Sequence, residues 1–333
     1  MTWSEAALPP KPTLVVGGYG YRNAGDEAIL AGLLRLLGRD GVTVVSRTPE
    51  ATAATHRVRS IGLSAAPRAM LTHNGLVIGG GGLFGRDMGA IGRMLPLAGL
   101  AATMSGRGVA LLGIGADRDM PVSTARLLAS LGRRAISVVV RDEESRVVLA
   151  GLGIDARRLP DLSALVPSAG RAAGIRHLRA AGLDPARRPV VGLCLTAVDP
   201  ALGGRVRAAV EATVDALPGV DFCLVTMSRH PFVALHDDEA LARQMAAERP
   251  RIRLLVPPDD TSELLGVFEA FNAAVCMRYH SLLFAERAGI PIIPVAYAEK
   301  CRHWLAEQSL RSIEPTPGAL LTSVDIALGR AVA

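Results

Sequence analysis

Short, uniformly apolar runs alternate with segments whose apolar residues recur every three or four positions along nearly the whole chain. In the first half, residues 14–16, 42–45, 76–78, 109–114 and 136–140 are such runs and predict strands. Between the first two, Ala28, Ile29, Leu33, Leu34, Leu36 and Leu37 fall at helical spacing. Helices are also predicted over 91–104, 123–132 and 143–152. A second series repeats the pattern. Its strands are expected at 190–195, 221–225, 252–255, 274–277 and 292–295, and its helices at 205–216, 240–247, 262–271, 281–288 and from Leu320 onward.

Strands that read as continuous apolar runs are covered on both faces, and their alternation with helices builds right-handed βαβ units on a parallel sheet. Pro160, Pro167, Ser168 and Gly170 interrupt the pattern over residues 160–174. The expectation is an α/β protein with two doubly wound, Rossmann-like domains, residues 1–165 and 170–333, facing a cleft. A length of 333 residues fits two domains of about 150 each. The C-terminal helix is expected to pack back on the N-terminal domain.

Composition narrows the partners. Lys and Arg outnumber Asp and Glu by 37 to 31, a formal charge of +6, and Lys11 and Lys300 are the only lysines. An arginine excess of this kind reads first as a coding bias, and in a functional reading as attraction to small phosphorylated anions, lipid diphosphates or an acidic membrane surface. The arginines are scattered and no aromatic nucleic-acid motif accompanies them, so nucleic acid is not an expected partner. No apolar run approaches the length of a membrane span, and residues 1–10 lack a cationic start and a long apolar core. A cytoplasmic location is therefore expected, with at most peripheral membrane contact. Cys194, Cys223, Cys276 and Cys301 form no paired motif, and the first three lie in apolar runs, so buried inert thiols are expected rather than a disulfide framework or a metal site.

Ligands of open parallel sheets bind beyond the carboxyl ends of the strands, and the residues with chemistry cluster just there. After the first strand comes Gly17-Gly18-Tyr19-Gly20-Tyr21-Arg22-Asn23-Ala24-Gly25-Asp26-Glu27. A dinucleotide fingerprint would need a third glycine where Asn23 stands and an acid after the second strand, where Ser46-Arg47 stands. No P-loop occurs either. Asp26 and Glu27 read equally well as residues favoured by the first turn of a helix. After the third run, Gly79, Gly80, Gly81 and Gly82 read as a turn whose amides can hold an anion.

Arg141-Asp142 follows the strand at 136–140, with Asp142 suited to cap the next helix. Pro160-Asp161 reads as a turn. Arg278-Tyr279-His280 follows the strand at 274–277 and opens a helix, where positive potential favours an anionic ligand and a histidine placed to donate a proton.

Together these stretches resemble the polysaccharide pyruvyl transferase family. The similarity rests on residues 20–30, the glycine run 79–82, Val140-Arg141-Asp142-Glu143-Glu144-Ser145, Met277-Arg278-Tyr279-His280, residues 284–293 and residues 297–310, in that order along the chain. The resemblance implies a glycosyltransferase B-like fold and transfer of pyruvate from phosphoenolpyruvate to a sugar, as a cyclic ketal, with release of phosphate. The acceptor implied is a cell-wall or capsular polysaccharide or its lipid-linked precursor.

It assigns Arg141, Arg278 and His280 to phosphoenolpyruvate, His280 also as general acid, and Asp26 to the acceptor hydroxyl. Asn23, Gly25, Gly80, Gly81 and Gly82 fall to the acceptor and to backbone anion binding. No cofactor or metal is called for beyond the co-substrate, and the oligomeric state, monomer or homo-oligomer, is left open. The chain departs from the family at Tyr279, often Leu, and at Ala298, where an aspartate is usual. Two other readings share the architecture: a nucleotide-sugar-dependent glycosyltransferase, with Glu286 as its ribose-binding acid, and a non-catalytic anion- or glycan-binding relative.

Overall fold

The computed structural model describes residues 2–197 and 199–330. It divides into two compact units, Met1–Tyr21 with Asp26–Val166, and Arg22–Gly25 with Pro167–Ala333.

The first unit carries a seven-stranded parallel sheet: β1 Thr13–Val16, β2 Val42–Val45, β3 Arg59–Ile61, β4 Gly75–Phe84, β5 Gly108–Ala116, β6 Ser137–Val140 and β7 Arg157–Arg158. Their order is β3-β2-β1-β4-β5-β6-β7. Chain direction across the sheet reverses between β1 and β4, the switch point at which doubly wound sheets open a crevice. Alternate residues of the same strands enter two cores. Leu14, Leu76, Ile78 and Leu111 pack in one, and Val15, Val77, Ala110 and Leu112 in the other. Burial on both faces explains why these strands read as unbroken apolar runs.

The second unit has five parallel strands: β8 Val190–Cys194, β9 Asp221–Val225, β10 Ile252–Leu255, β11 Ala273–Cys276 and β12 Ile292–Pro294, in the order β10-β9-β8-β11-β12. Its switch point lies between β8 and β11. Val191, Leu193, Phe222, Leu224 and Val275 form a core with Val206, Val210 and Val214 of the helix Pro200–Ala216. Both sheets have the expected doubly wound α/β form.

Three expectations are corrected, and two edge strands join those expected. The glycine run is strand rather than turn: β4 continues through Gly79–Gly82, paired to β5 at Gly79↔Leu112, Gly81↔Ile114 and Gly82↔Gly115. The edge strands β3 and β7 carry arginines in place of an apolar run, which hid them. The C-terminal helix, Pro317–Ala327, buries Leu320 and Val324 in the core of the second unit. Residues Arg22–Gly25, expected within the first domain, cluster with the second unit, because Ala24 N–H donates to Met227 O at 2.9 Å and Arg229 N–H to Arg22 O at 3.0 Å.

Candidate functional site

In the first unit the turn after β1 is locked from several sides. The Tyr19 hydroxyl donates to Gly79 O at 2.9 Å, and Gly20 N–H donates to Glu27 Oε1 at 3.1 Å. Glu27 Oε2 in turn meets His56 Nε2 at 2.7 Å. Glu27 therefore does more than favour a helix start: it ties the turn to the helix Pro49–His56. Burial pushes the Tyr19 phenol far above its usual range, and the nearby charges of Asp26 and Glu27 add to this.

Asp26 stands over the same glycines. A Cβ on Gly81 would lie 3.3 Å from Asp26 Oδ1, and one on Gly18 would lie 3.7 Å from Oδ2. Gly80 and Gly81 have φ of +51° and +92°, a region closed to most side chains, and a Cβ on Gly80 would collide with Ile29 Cγ2. The glycines thus let β4 bend beneath the first turn of the helix Ala24–Leu37.

Arg141 follows β6 directly and lies along the same segment. Its Nη2 would stand 3.5 Å from a Cβ on Gly82 and 3.1 Å from one on Gly115. The side chain is only 4% exposed and faces two carboxylates, Asp142 Oδ2 at 3.3 Å from Nε and Asp161 Oδ2 at 3.9 Å from Nη1. Asp142 also caps its helix, accepting from Ser145 N–H at 2.8 Å, as expected. Asp161 is more than a turn residue. It is buried and accepts from Ser163 N–H at 2.9 Å while meeting Arg141.

In the second unit Arg278 is the N-cap of the helix Tyr279–Arg287, and His280 is the second residue of that helix. Arg278 grips Asp238 with both arms of its fork, Nε to Oδ2 at 3.0 Å and Nη2 to Oδ1 at 2.5 Å. Asp238 Oδ2 also accepts from Ser228 N–H at 3.0 Å. Burial pushes the Asp238 carboxyl above its ordinary range, while Arg278, Thr196 and the Ser228 amide pull it down. Sequence reasoning missed Asp238. Its only local signal was the Asp237-Asp238 pair opening a helix.

Residues 22–25 lie against this cluster within the second unit. Asn23 pairs with Ser228 in an antiparallel bridge, and its Oδ1 accepts from Gly25 N–H at 2.9 Å. The amide of Gly25, expected to serve the acceptor or an anion, is therefore engaged internally, as is that of its neighbour Ala24. Gly25 instead forms a wall for His280: a side chain there would run into Nδ1, Cγ and Cε1 of the imidazole. The rings of Tyr279 and Phe284 flank the imidazole at centroid distances of 5.4 and 6.0 Å. Glu286 is exposed on the same helix, and burial of part of its carboxyl raises its pKa.

All four thiols are buried. A hydrogen bond with Cys276 and burial raise the Cys194 thiol well above its ordinary value, and burial raises Cys223. Inert thiols follow.

Two doubly wound units with charged side chains at both switch points define a glycosyltransferase B-like protein, and solved structures bear this out. Anabaena HepE in complex with UDP-glucose is similar over 95% of this chain and 88% of its own, with TM-score 0.60 and 14% identity. The UDP-GlcNAc 2-epimerase of Neisseria meningitidis bound to UDP-GlcNAc is similar over 94% and 90%, with TM-score 0.63 and 10% identity. The ADP-heptose lipopolysaccharide heptosyltransferase II of E. coli is similar over 95% and 98%, with TM-score 0.52 and 12% identity. At such identities the likeness is one of fold. No curated protein matches the sequence. The family model for polysaccharide pyruvyl transferase matches residues 23–299, and the chain belongs to that family.

Proposed function

We propose that the protein transfers pyruvate from phosphoenolpyruvate to two hydroxyls of one sugar in a polysaccharide or its lipid-linked precursor, forming a ketal and releasing phosphate. What carries this reading is the family match together with Arg278 and His280 at one helix N-terminus. Arg141 and Arg278 hold the phosphate and carboxylate of the donor. Asp142 and Asp161 on one guanidinium, and Asp238 on the other, fix those cations before substrate arrives, which is how fixed charge lowers a barrier.

Protonated His280 gives its proton to the methylene carbon, and the double-bond electrons form the new C–H bond. Positive charge appears on the adjacent carbon. A sugar hydroxyl attacks that carbon and passes its proton to Asp26. The carbon–oxygen bond to phosphate then breaks, its electron pair leaving with the phosphate. A second hydroxyl adds to the same carbon to close the ring, returning its proton to His280, while the proton on Asp26 leaves with the phosphate. Fixed arginine charge stabilises the leaving phosphate.

The test is to incubate the protein and phosphoenolpyruvate with a panel of sugar acceptors, following phosphate release and ketal formation by mass spectrometry. If no acceptor elicits phosphate, the reading fails. The UDP-sugar complexes of the solved relatives favour one competitor, a nucleotide-sugar-dependent transferase. A rise in melting temperature with phosphoenolpyruvate but not with UDP separates the two.

A further inference from the structure

The helix Gly89–Met104 turns an apolar stripe to solvent. Gly92, Pro96, Gly99 and Ala102 bury its inner face. Met94, Leu97 and Met104 lie on the outer side at 64%, 51% and 85% exposure, with Ile91 at their edge. Their spacing keeps them on one side of the helix, and its sole charge is Arg93. Single exposed apolar residues are ordinary, whereas a contiguous patch marks a surface that something covers.

The patch continues beyond the helix. Arg107 donates from Nη2 to Leu71 O at 3.1 Å and from Nη1 to Ser105 O at 3.4 Å, which brings Leu71, 74% exposed, to the Met104 end. Arg93 on the helix and Arg107 just after it are cations beside this stripe, and residues 88–116 hold no acid, while Arg86 ahead of the helix is paired with Asp119.

We propose that this face docks the protein on the surface of a bilayer containing anionic lipids. Apolar side chains enter the headgroup–acyl boundary while arginines meet the anionic headgroups. A second copy of the chain is the poorer occupant, because symmetric pairing would set arginine against arginine. The helix does not cross the membrane: its 16 residues span about 24 Å, short of the roughly 30 Å hydrocarbon core. Its buried inner face holds it along the surface. The inference is independent of the transfer reaction, and its test uses no substrate.

The full-length protein is sedimented with vesicles of phosphatidylcholine alone and of phosphatidylcholine with phosphatidylglycerol. Binding is expected to the mixed vesicles at low salt, with release as salt rises. Met94→Asp/Leu97→Asp abolishes it, and Arg93→Glu, which leaves the stripe intact, weakens it about tenfold or more. Ile326→Asp, at an exposed position of the second unit, leaves it unchanged. Failure of the wild type to bind mixed vesicles overturns the proposal, as does wild-type binding by Arg93→Glu. So does a solution dimer that Met94→Asp dissociates, since a second copy would then cover the face.

Discussion

Gly25 is the wall against which the His280 imidazole rests: the space a methyl group would need is filled by the ring. Asn23 holds Gly25 in place, its Oδ1 accepting from the Gly25 N–H. A glycine that looked from sequence like an anion-binding amide is thus a steric requirement on the proposed acid.

Gly25→Ala should therefore displace the ring. A misplacement of about 1 Å costs on the order of 100-fold in rate, read as phosphate release in the presence of acceptor. The same substitution should lower the melting temperature more in the wild-type background than in His280→Ala, where the colliding ring is gone. Equal losses in the two backgrounds would refute the contact.

Asp238→Ala leaves the buried Arg278 guanidinium without its bidentate partner, and breaking one side of a buried pair costs about 3–5 kcal/mol. The urea midpoint should fall accordingly. Asp238→Asn keeps an acceptor oxygen and should lose less. A fall of the same size for both would mean that charge, not hydrogen bonding, holds the pair.

Asp26 sits over Gly18 and Gly81, whereas the proposed donor contacts belong to other residues. Asp26→Asn should leave the melting shift with phosphoenolpyruvate nearly intact while transfer drops about 100-fold or more, the scale of lost proton-transfer catalysis. Parallel loss of both would remove Asp26 from the acceptor role.

His230 gives a pH signature. Its Nδ1 accepts from Phe232 N–H at 3.2 Å and Val233 N–H at 3.0 Å. Burial and the charge of Arg278 lower its pKa, with Asp237 opposing. A histidine with a depressed folded pKa binds its proton more readily in the unfolded chain. Stability is then full above the unfolded value of about 6.5 and is lost as pH falls through the lower folded value. Urea midpoints of wild type should drop between pH 7.5 and pH 5 by more than those of His230→Ala. Identical drops would exonerate His230.

Ala298 is the N-cap of the helix Glu299–Glu307 and supplies no side-chain bond, with extended φ and ψ of −126° and 151°. The aspartate usual in the family would accept from the first-turn amides. Ala298→Asp should stabilise the protein by about 1 kcal/mol, seen as a higher melting temperature.

Nearly every interior strand was legible because burial on both faces writes an apolar run into the sequence, as at Val42–Val45 and Asp221–Val225. Arg278 and His280 were legible as the start of a helix for the same local reason, a strand followed at once by helical spacing. The glycine run misled because glycines permit a turn and a bent strand alike. Only pairing with β5, many residues away, selects the strand.

The partners of the charged residues could not be read at all. Asp161 looked like a turn and Asp238 drew no reading, because nothing local marks which carboxylate a distant guanidinium will meet. Local pattern specifies elements, since periodicity and burial act within a few residues of one another. Which face His280 rests on, and which acids hold Arg141 and Arg278, depend on contacts between segments far apart in the chain, and those exist only once the fold has formed.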